Sequence, residues 1–323
     1  MIYPKFIKKG DTLGIVALSA GVGKKIPAFE KAMERLHQEG FKTVETNSVR
    51  VNNVRANTGE KRANEFNHLV KRDDIDMILC ASGGDFQYET IPYIDYESIV
   101  KNPKWCMGYS DPTNLLYVLT TKYDISTLYG ANAGSYDVEH EYVDTNLEFI
   151  QGNLKSQHSY EYYQATKDWL EDNLVYNEKV EWITSNDFDV SGRCIGGCID
   201  VLKDLIGTVY DGTLDFVERY KEDGNIFYFD NFAMSAENFY RTLLQMKYAG
   251  YFKYTKAILV GRVCFESSET GMSYTEALDK VGIPFVFNAD IGHVAPKMTM
   301  INGAMITLKT GDNTGTIEFD LKK

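Results

Sequence analysis

The chain has 323 residues, 44% of them hydrophobic and 13% aromatic, which supplies a core for each of two domains and excludes a disordered polypeptide. A formal charge of −12 argues against nucleic acid as the main partner, because tracking a phosphate backbone needs a concentrated excess of Lys and Arg. The opening residues lack the long apolar core of a signal peptide, and nowhere do about 18 apolar residues run uninterrupted, so a soluble, cytoplasmic protein with no membrane partner is expected.

Residues 11–18 read as a buried strand ending in the small-residue loop Ser19-Ala20-Gly21-Val22-Gly23, and residues 26–39 follow with helical spacing up to Gly40. The loop lacks the full dinucleotide fingerprint and no Gly-Lys-Ser/Thr follows it, so a cofactor phosphate is poorly supported. A short strand over 42–45 and a polar amphipathic helix over 58–72 come next. Residues 75–81 form another buried strand that runs into Ser82-Gly83-Gly84-Asp85. Paired glycines at the carboxyl end of a strand let the backbone approach a ligand closely or take positive φ, and a plain tight turn is the other reading.

The stretch from Trp105 to Leu116 compresses an apolar strand, a sharp turn and a helix start into one short segment. Pro112 suits the first helical position and pushes Asp111 out of the α region, so Asp111 is expected to cap the helix and Ser110 is left at the turn. A serine there presents its hydroxyl above the sheet edge, beside backbone N–H groups able to hold developing negative charge. The same Gly-x-Ser-Asp-Pro pattern also serves as an ordinary capped turn. In open parallel sheets ligands sit beyond the carboxyl ends of the strands, so Ser110 and Gly83-Gly84 are expected to face one pocket.

Residues 125–130 look like a further strand, and the alternation of strands and helices to about residue 150 predicts a doubly wound parallel sheet. The pattern then loosens into polar and aromatic residues, including Tyr160, Tyr162, Tyr163 and Trp169. The expected organisation is α/β throughout: an N-terminal doubly wound domain over 1–154, a connection over 155–186, and a C-terminal mixed α/β domain over 187–323. That second half opens on a Gly-rich turn over 191–198 feeding a helix that ends near Gly207. Residues 225–230 form a strand ending in Asp230, a helix capped by Ser235 runs to Gly250, and residues 256–262 give another strand. The end of the chain carries Gly292-His293 after a strand, with Pro296 beyond, then β-rich segments over 304–308 and 314–321.

The five cysteines are scattered and sit mostly in apolar runs, which suits reduced core thiols; Cys194 and Cys198 have the spacing of half a metal site, without a second pair or a nearby His. For catalysis, a serine hydroxyl needs a base to take its proton, and the base needs an acid to fix its tautomer and steady the imidazolium. His37, His68, His140 and His158 lie in helical or charged surroundings and read as solvated side chains, whereas His293 sits in a positioned loop. Asp230 is the best-placed acid, with Asp111, Glu237 and Asp290 as weaker candidates; each also reads as a cap or turn residue.

These residues together resemble the LD-carboxypeptidases of serine peptidase family S66, which also contains the microcin C immunity hydrolases. The likeness runs through Lys5-Phe6-Ile7-Lys8-Lys9-Gly10-Asp11, Gly83-Gly84, Gly108-Tyr109-Ser110-Asp111, Gly192-Arg193-Cys194-Ile195-Gly196-Gly197 and Gly292-His293. It implies a Ser-His-Glu hydrolase with its serine in the N-terminal domain and the other two members in the C-terminal one. Ser110 and His293 match directly; Asp230 stands where the family usually has Glu, and Arg241 matches an Arg that follows it. Asp is one methylene shorter, so a backbone shift or a water is expected to close the gap to the imidazole. The main-chain N–H groups of Gly84 and Asp111 would face the tetrahedral oxygen. The resemblance further implies a small peptide or muropeptide substrate, removal of a terminal D-alanine during peptidoglycan recycling, no metal or organic cofactor, and a homodimer. Two alternatives stay open: an immunity-type hydrolase of nucleotide-linked amides, with Trp169 or Trp182 stacking on the base, and a non-catalytic ligand-binding relative.

Overall fold

A computed structural model describes residues 1–164 and 175–322. The chain falls into two compact units, Met1–Leu154 and Lys155–Lys323. Trp169 lies outside the described residues.

In the first unit, strands β1 (Thr12–Val16), β2 (Lys42–Glu45), β3 (Met77–Cys80), β4 (Trp105–Gly108) and β5 (Thr127–Tyr129) pair in parallel, in the order β5-β4-β3-β1-β2. β3, β4 and β5 are buried at every position, and so is β1 after its first residue, as expected of strands covered on both faces. The covering helices are α1 (Ile26–Gln38), α2 (Gly59–Lys71), α3 (Tyr96–Lys101), α4 (Thr113–Tyr123) and α5 (Glu141–Ile150). Thr58 caps α2, its hydroxyl accepting from the Lys61 N–H at 3.3 Å. One packing group joins α1 to the 3₁₀ turn Ala133–Asp137, and another joins α2, α3 and α4 around the 3₁₀ turn Gln87–Tyr93, giving the doubly wound arrangement. With this strand order the direction of winding reverses between β1 and β3, and in open parallel sheets ligands bind beyond the carboxyl ends of the strands at such a switch point.

The second unit continues with β6 (Ser156–His158), β7 (Tyr162–Gln164), β8 (Tyr176–Lys179), β9 (Ile183–Thr184), β10 (Asp189–Cys198), β11 (Asn225–Asp230), β12 (Thr255–Gly261), β13 (Phe285–Ala289), β14 (Met300–Asn302), β15 (Met305–Gly311) and β16 (Thr314–Asp320). Its helices are α6 (Ile199–Leu202), α7 (Thr213–Arg219), α8 (Ala236–Ala249) and α9 (Tyr274–Val281). The main sheet has the order β6-β16-β15-β10-β11-β12-β13-β9. Its centre, β10 to β13, is parallel, and its flanking strands are antiparallel. β7 and β8 form a separate antiparallel pair. Residues 155–186, expected as a connection, thus supply β6 and β9 to the edges of this sheet.

The Gly-rich segment over 191–198 is not a turn but the last eight residues of the ten-residue strand β10, and the helix after it ends at Leu202 instead of near Gly207. Its glycines serve packing: a Cβ on Gly196 would stand 1.8 Å from the Tyr228 carbonyl oxygen on β11. Cys194 and Cys198, being four apart on one extended strand, are separated by roughly 13 Å along it, too far to share a metal ion. All five cysteines are reduced and buried. Among the described residues no helix is long and apolar enough to cross a membrane.

Candidate active site

β4 delivers Ser110 to the carboxyl rim of the first sheet in a left-handed backbone conformation, φ +70°. Such a conformation costs a non-glycine residue about 1–3 kcal/mol and is found where a turn projects a reactive side chain. Contacts on both sides hold it. The side-chain amide of Asn132 brackets the residue before the serine: its Oδ1 accepts from the Tyr109 N–H at 3.1 Å and its Nδ2 donates to the Tyr109 carbonyl at 3.3 Å. The Ser110 N–H donates to the phenol oxygen of Tyr129, at the end of β5, at 3.1 Å. The Ser110 carbonyl accepts from the Thr113 N–H at 2.9 Å, opening α4. Tyr129 and Asn132 were not singled out by sequence; their place at and just beyond the end of a strand is the signal that marks them.

Asp111 does not cap α4, because its carboxylate turns the other way. Oδ2 accepts from the Ser19 hydroxyl at 2.5 Å and from the Gln87 N–H at 2.8 Å, and Oδ1 accepts from the Asn114 amide at 3.0 Å. Burial pushes this carboxyl above its ordinary range, while the bonds from Ser19 and Gln87 pull the other way. Gly83 lies against the serine, with a Cβ there only 3.2 Å from Ser110 Oγ, and Gly84 takes φ +144° with its missing Cβ 2.4 Å from Ser19 Oγ. The Ser110 N–H is engaged by Tyr129, whereas the N–H groups of Gly84 and Asp111, like those of Gly83 and Asp85, donate to no protein acceptor among the described residues.

In the second unit, β11 buries all six of its residues and ends on Asp230, which is fully inaccessible. Asp230 Oδ2 lies 2.7 Å from His293 Nδ1, and Oδ1 accepts from the His293 main-chain N–H at 3.3 Å. The shorter side chain thus reaches the imidazole directly. Gly292 makes this possible: at φ +102° it lays the loop backbone on the carboxylate, where a Cβ would stand 2.1 Å from Asp230 Oδ1. The Phe232 ring covers the imidazole at 4.6 Å between centroids. Asp200 in turn fixes the loop after β11, accepting from the Phe232 N–H at 2.9 Å and the Ala233 N–H at 3.2 Å.

The remaining candidates are engaged elsewhere. Asp290 is buried, accepts from Arg262 at 2.7 Å and from the Trp182 indole at 2.9 Å, and is pushed up by burial against the pull of Arg262. Trp182 itself is fully buried against Gly315, a core residue and not a stacking platform. Glu237 accepts from the Ser268 and Thr270 hydroxyls and two N–H groups, which hold it well below the usual carboxylate range. Arg241 is exposed on α8. His37 and His158 sit near threonine hydroxyls at 2.9 and 3.0 Å, His140 caps α5, and His68 is exposed.

Both halves of the chain match models of one family: the LD-carboxypeptidase N-terminal domain over residues 13–130 and the LD-carboxypeptidase C-terminal domain over residues 191–308. The chain belongs to the LD-carboxypeptidase family, peptidase family S66. It is a serine peptidase of that family. Among its relatives, the microcin C7 self-immunity protein MccF of Escherichia coli is 28% identical over 93% of this chain and 90% of its own length. MccF has been solved in complex with aspartyl sulfamoyl adenosine, a structure that aligns at TM-score 0.82 and 26% identity over 99% of each chain. A probable murein peptide carboxypeptidase of Bacillus subtilis is 24% identical over 98% of this chain and 94% of its own length.

Proposed function

We propose that this LD-carboxypeptidase family member removes the terminal D-alanine of peptidoglycan-derived tetrapeptides by cutting the bond after an L-centre. Ser110 attacks the scissile carbonyl, His293 takes its proton and returns it to the leaving amine, and Asp230 holds Nδ1 of His293 and steadies the imidazolium. The N–H groups of Gly84 and Asp111 receive the oxyanion, each such donor being worth about 2.7–4 kcal/mol. The observation that carries this reading is the Asp230 carboxylate, which lies 2.7 Å from Nδ1 of His293 and accepts from its main-chain N–H; a proton on Nδ1 facing that carboxylate would make Nε2 the nitrogen that takes the serine's proton. The murein peptide carboxypeptidase among the relatives supports the substrate class.

A second reading, hydrolysis of an amide joining an amino acid to a nucleotide, is favoured by the similarity to MccF and by its aspartyl sulfamoyl adenosine complex. Burial of Trp182 counts against one way of holding the base. The test incubates wild type and Ser110→Ala with a muropeptide tetrapeptide and, separately, with aspartyl sulfamoyl adenosine. Release of D-alanine by the wild type, lowered at least 10³-fold in the variant, is expected; release only of aspartate selects the second reading, and equal release by both proteins refutes Ser110 as nucleophile. Recycling of stem peptides would place the enzyme in the cytoplasm, and a homodimer is proposed on the same family basis.

A further inference from the structure

Three loops bear on Ser110: one after β1 with Ser19, one after β3 with Gly83 and Gly84, and the turn after β4 with Asp111. They are tied by a buried polar network that peptide hydrolysis itself does not use. Ser19 Oγ donates to Asp111 and accepts from the Phe86 N–H at 3.3 Å, while Asp111 accepts from the neighbouring Gln87 N–H at 2.8 Å. The Ala20 N–H donates to the Gly83 carbonyl at 3.2 Å. Behind them lies Arg62 of α2, fully buried, which donates to the carbonyls of Leu18 and Phe86 and to Asn57, and pairs with Glu89 at 2.8 Å.

We propose that Ser19, the Asp111 carboxylate and Arg62 are positioning residues for the oxyanion donors, a role that rests on the Ser110 reading above. The Asp111 side chain sets the direction of its own N–H by anchoring the residue to the loop after β3. Ser19 fixes Gly84 from the far side, because its hydroxyl occupies the space a side chain at Gly84 would need. A carboxylate this near a developing oxyanion would oppose it. The Arg62 guanidinium, sharing carbonyls with the same loops, supplies the opposite charge.

The test compares Ser19→Ala, Ser19→Thr, Asp111→Ala and Asp111→Asn by kcat and KM on the substrate that wild type cleaves, and by affinity for a peptidyl boronic acid, whose tetrahedral adduct carries an oxygen where the oxyanion forms. Ser19→Ala is expected to lower kcat about 10- to 100-fold with KM within threefold, and to weaken the boronic acid by the same factor as kcat. Ser19→Thr, which keeps the hydroxyl, recovers part of that loss. Asp111→Asn, which keeps an acceptor for Ser19 and Gln87, retains at least tenfold more activity than Asp111→Ala. Loss confined to KM, or Asn no better than Ala, overturns the proposal. Should Ser19→Ala fail to fold, the two Asp111 variants and Ser19→Thr decide. Ser110→Ala separates the two layers of argument: an active Ser110→Ala removes the nucleophile, whereas an inactive one beside an undiminished Ser19→Ala removes only the positioning role.

Discussion

Asp230 reaches His293 because the residue before the histidine has no side chain. The Gly292 backbone fills the space against Oδ1, so the site is fitted to a carboxylate on one methylene and not two. Restoring the longer acid at this position is therefore expected to harm the enzyme. Asp230→Glu adds a methylene to a fully inaccessible site and should cost about 1–3 kcal/mol of stability, with kcat/KM at least tenfold lower; denaturant unfolding and steady-state kinetics check it, and a variant as stable and active as wild type would remove the argument. Ser110, Asp230 and His293 were all visible as candidates in the sequence because each sits where a strand turns into a loop. The reach of Asp230 was not visible, since it depends on where the Gly292 backbone runs. The direction of the Asp111 side chain was equally hidden: Pro112 predicts a cap, but the competing donors, Ser19 and Gln87, come from other loops.

At the scale of elements, the apolar strands β1, β3, β4 and β11 could be read directly, because buried parallel strands are continuous hydrophobic runs with turn residues after them. The helices α1 and α8 could be read from their periodicity and their stop signals at Gly40 and Gly250. β10 could not. Its glycines match the composition of a turn, and only the closeness of β11 explains why a central strand carries them. Gly196→Ala is expected to destabilise the second unit by more than about 2 kcal/mol, as a Cβ against the Tyr228 carbonyl must push β10 and β11 apart. Equilibrium urea unfolding measures this, and an unchanged midpoint would mean that the strands yield without cost. The short edge strands β6 and β9 were missed for a different reason: with two or three residues each they have no periodicity to detect, and tertiary pairing alone makes them strands.

For the whole molecule, the buried carboxyls set how stability responds to pH. Asp111 and Asp290 both have folded values raised by burial. A raised carboxyl holds more protons folded than unfolded, so its contribution to stability falls as pH rises from the unfolded value of about 3.9 through the folded one. Asp111→Asn should therefore raise the melting temperature at pH 7, with the gain shrinking as pH drops and gone near pH 3; thermal melts across that range test it, and a lower melting temperature at pH 7 would reverse the sign assigned to burial. The thiols extend the same logic to the two units. Cys80 and Cys106 lie on the first sheet, Cys194 and Cys198 on β10, and Cys264 just beyond β12, and burial pushes every one of them up, Cys80 and Cys264 to about 12. Alkylating reagents consequently find almost no nucleophile until a sheet opens. Each unit thus carries its own chemical clock, and the order in which the cysteines acquire a label records which half of the chain breathes first.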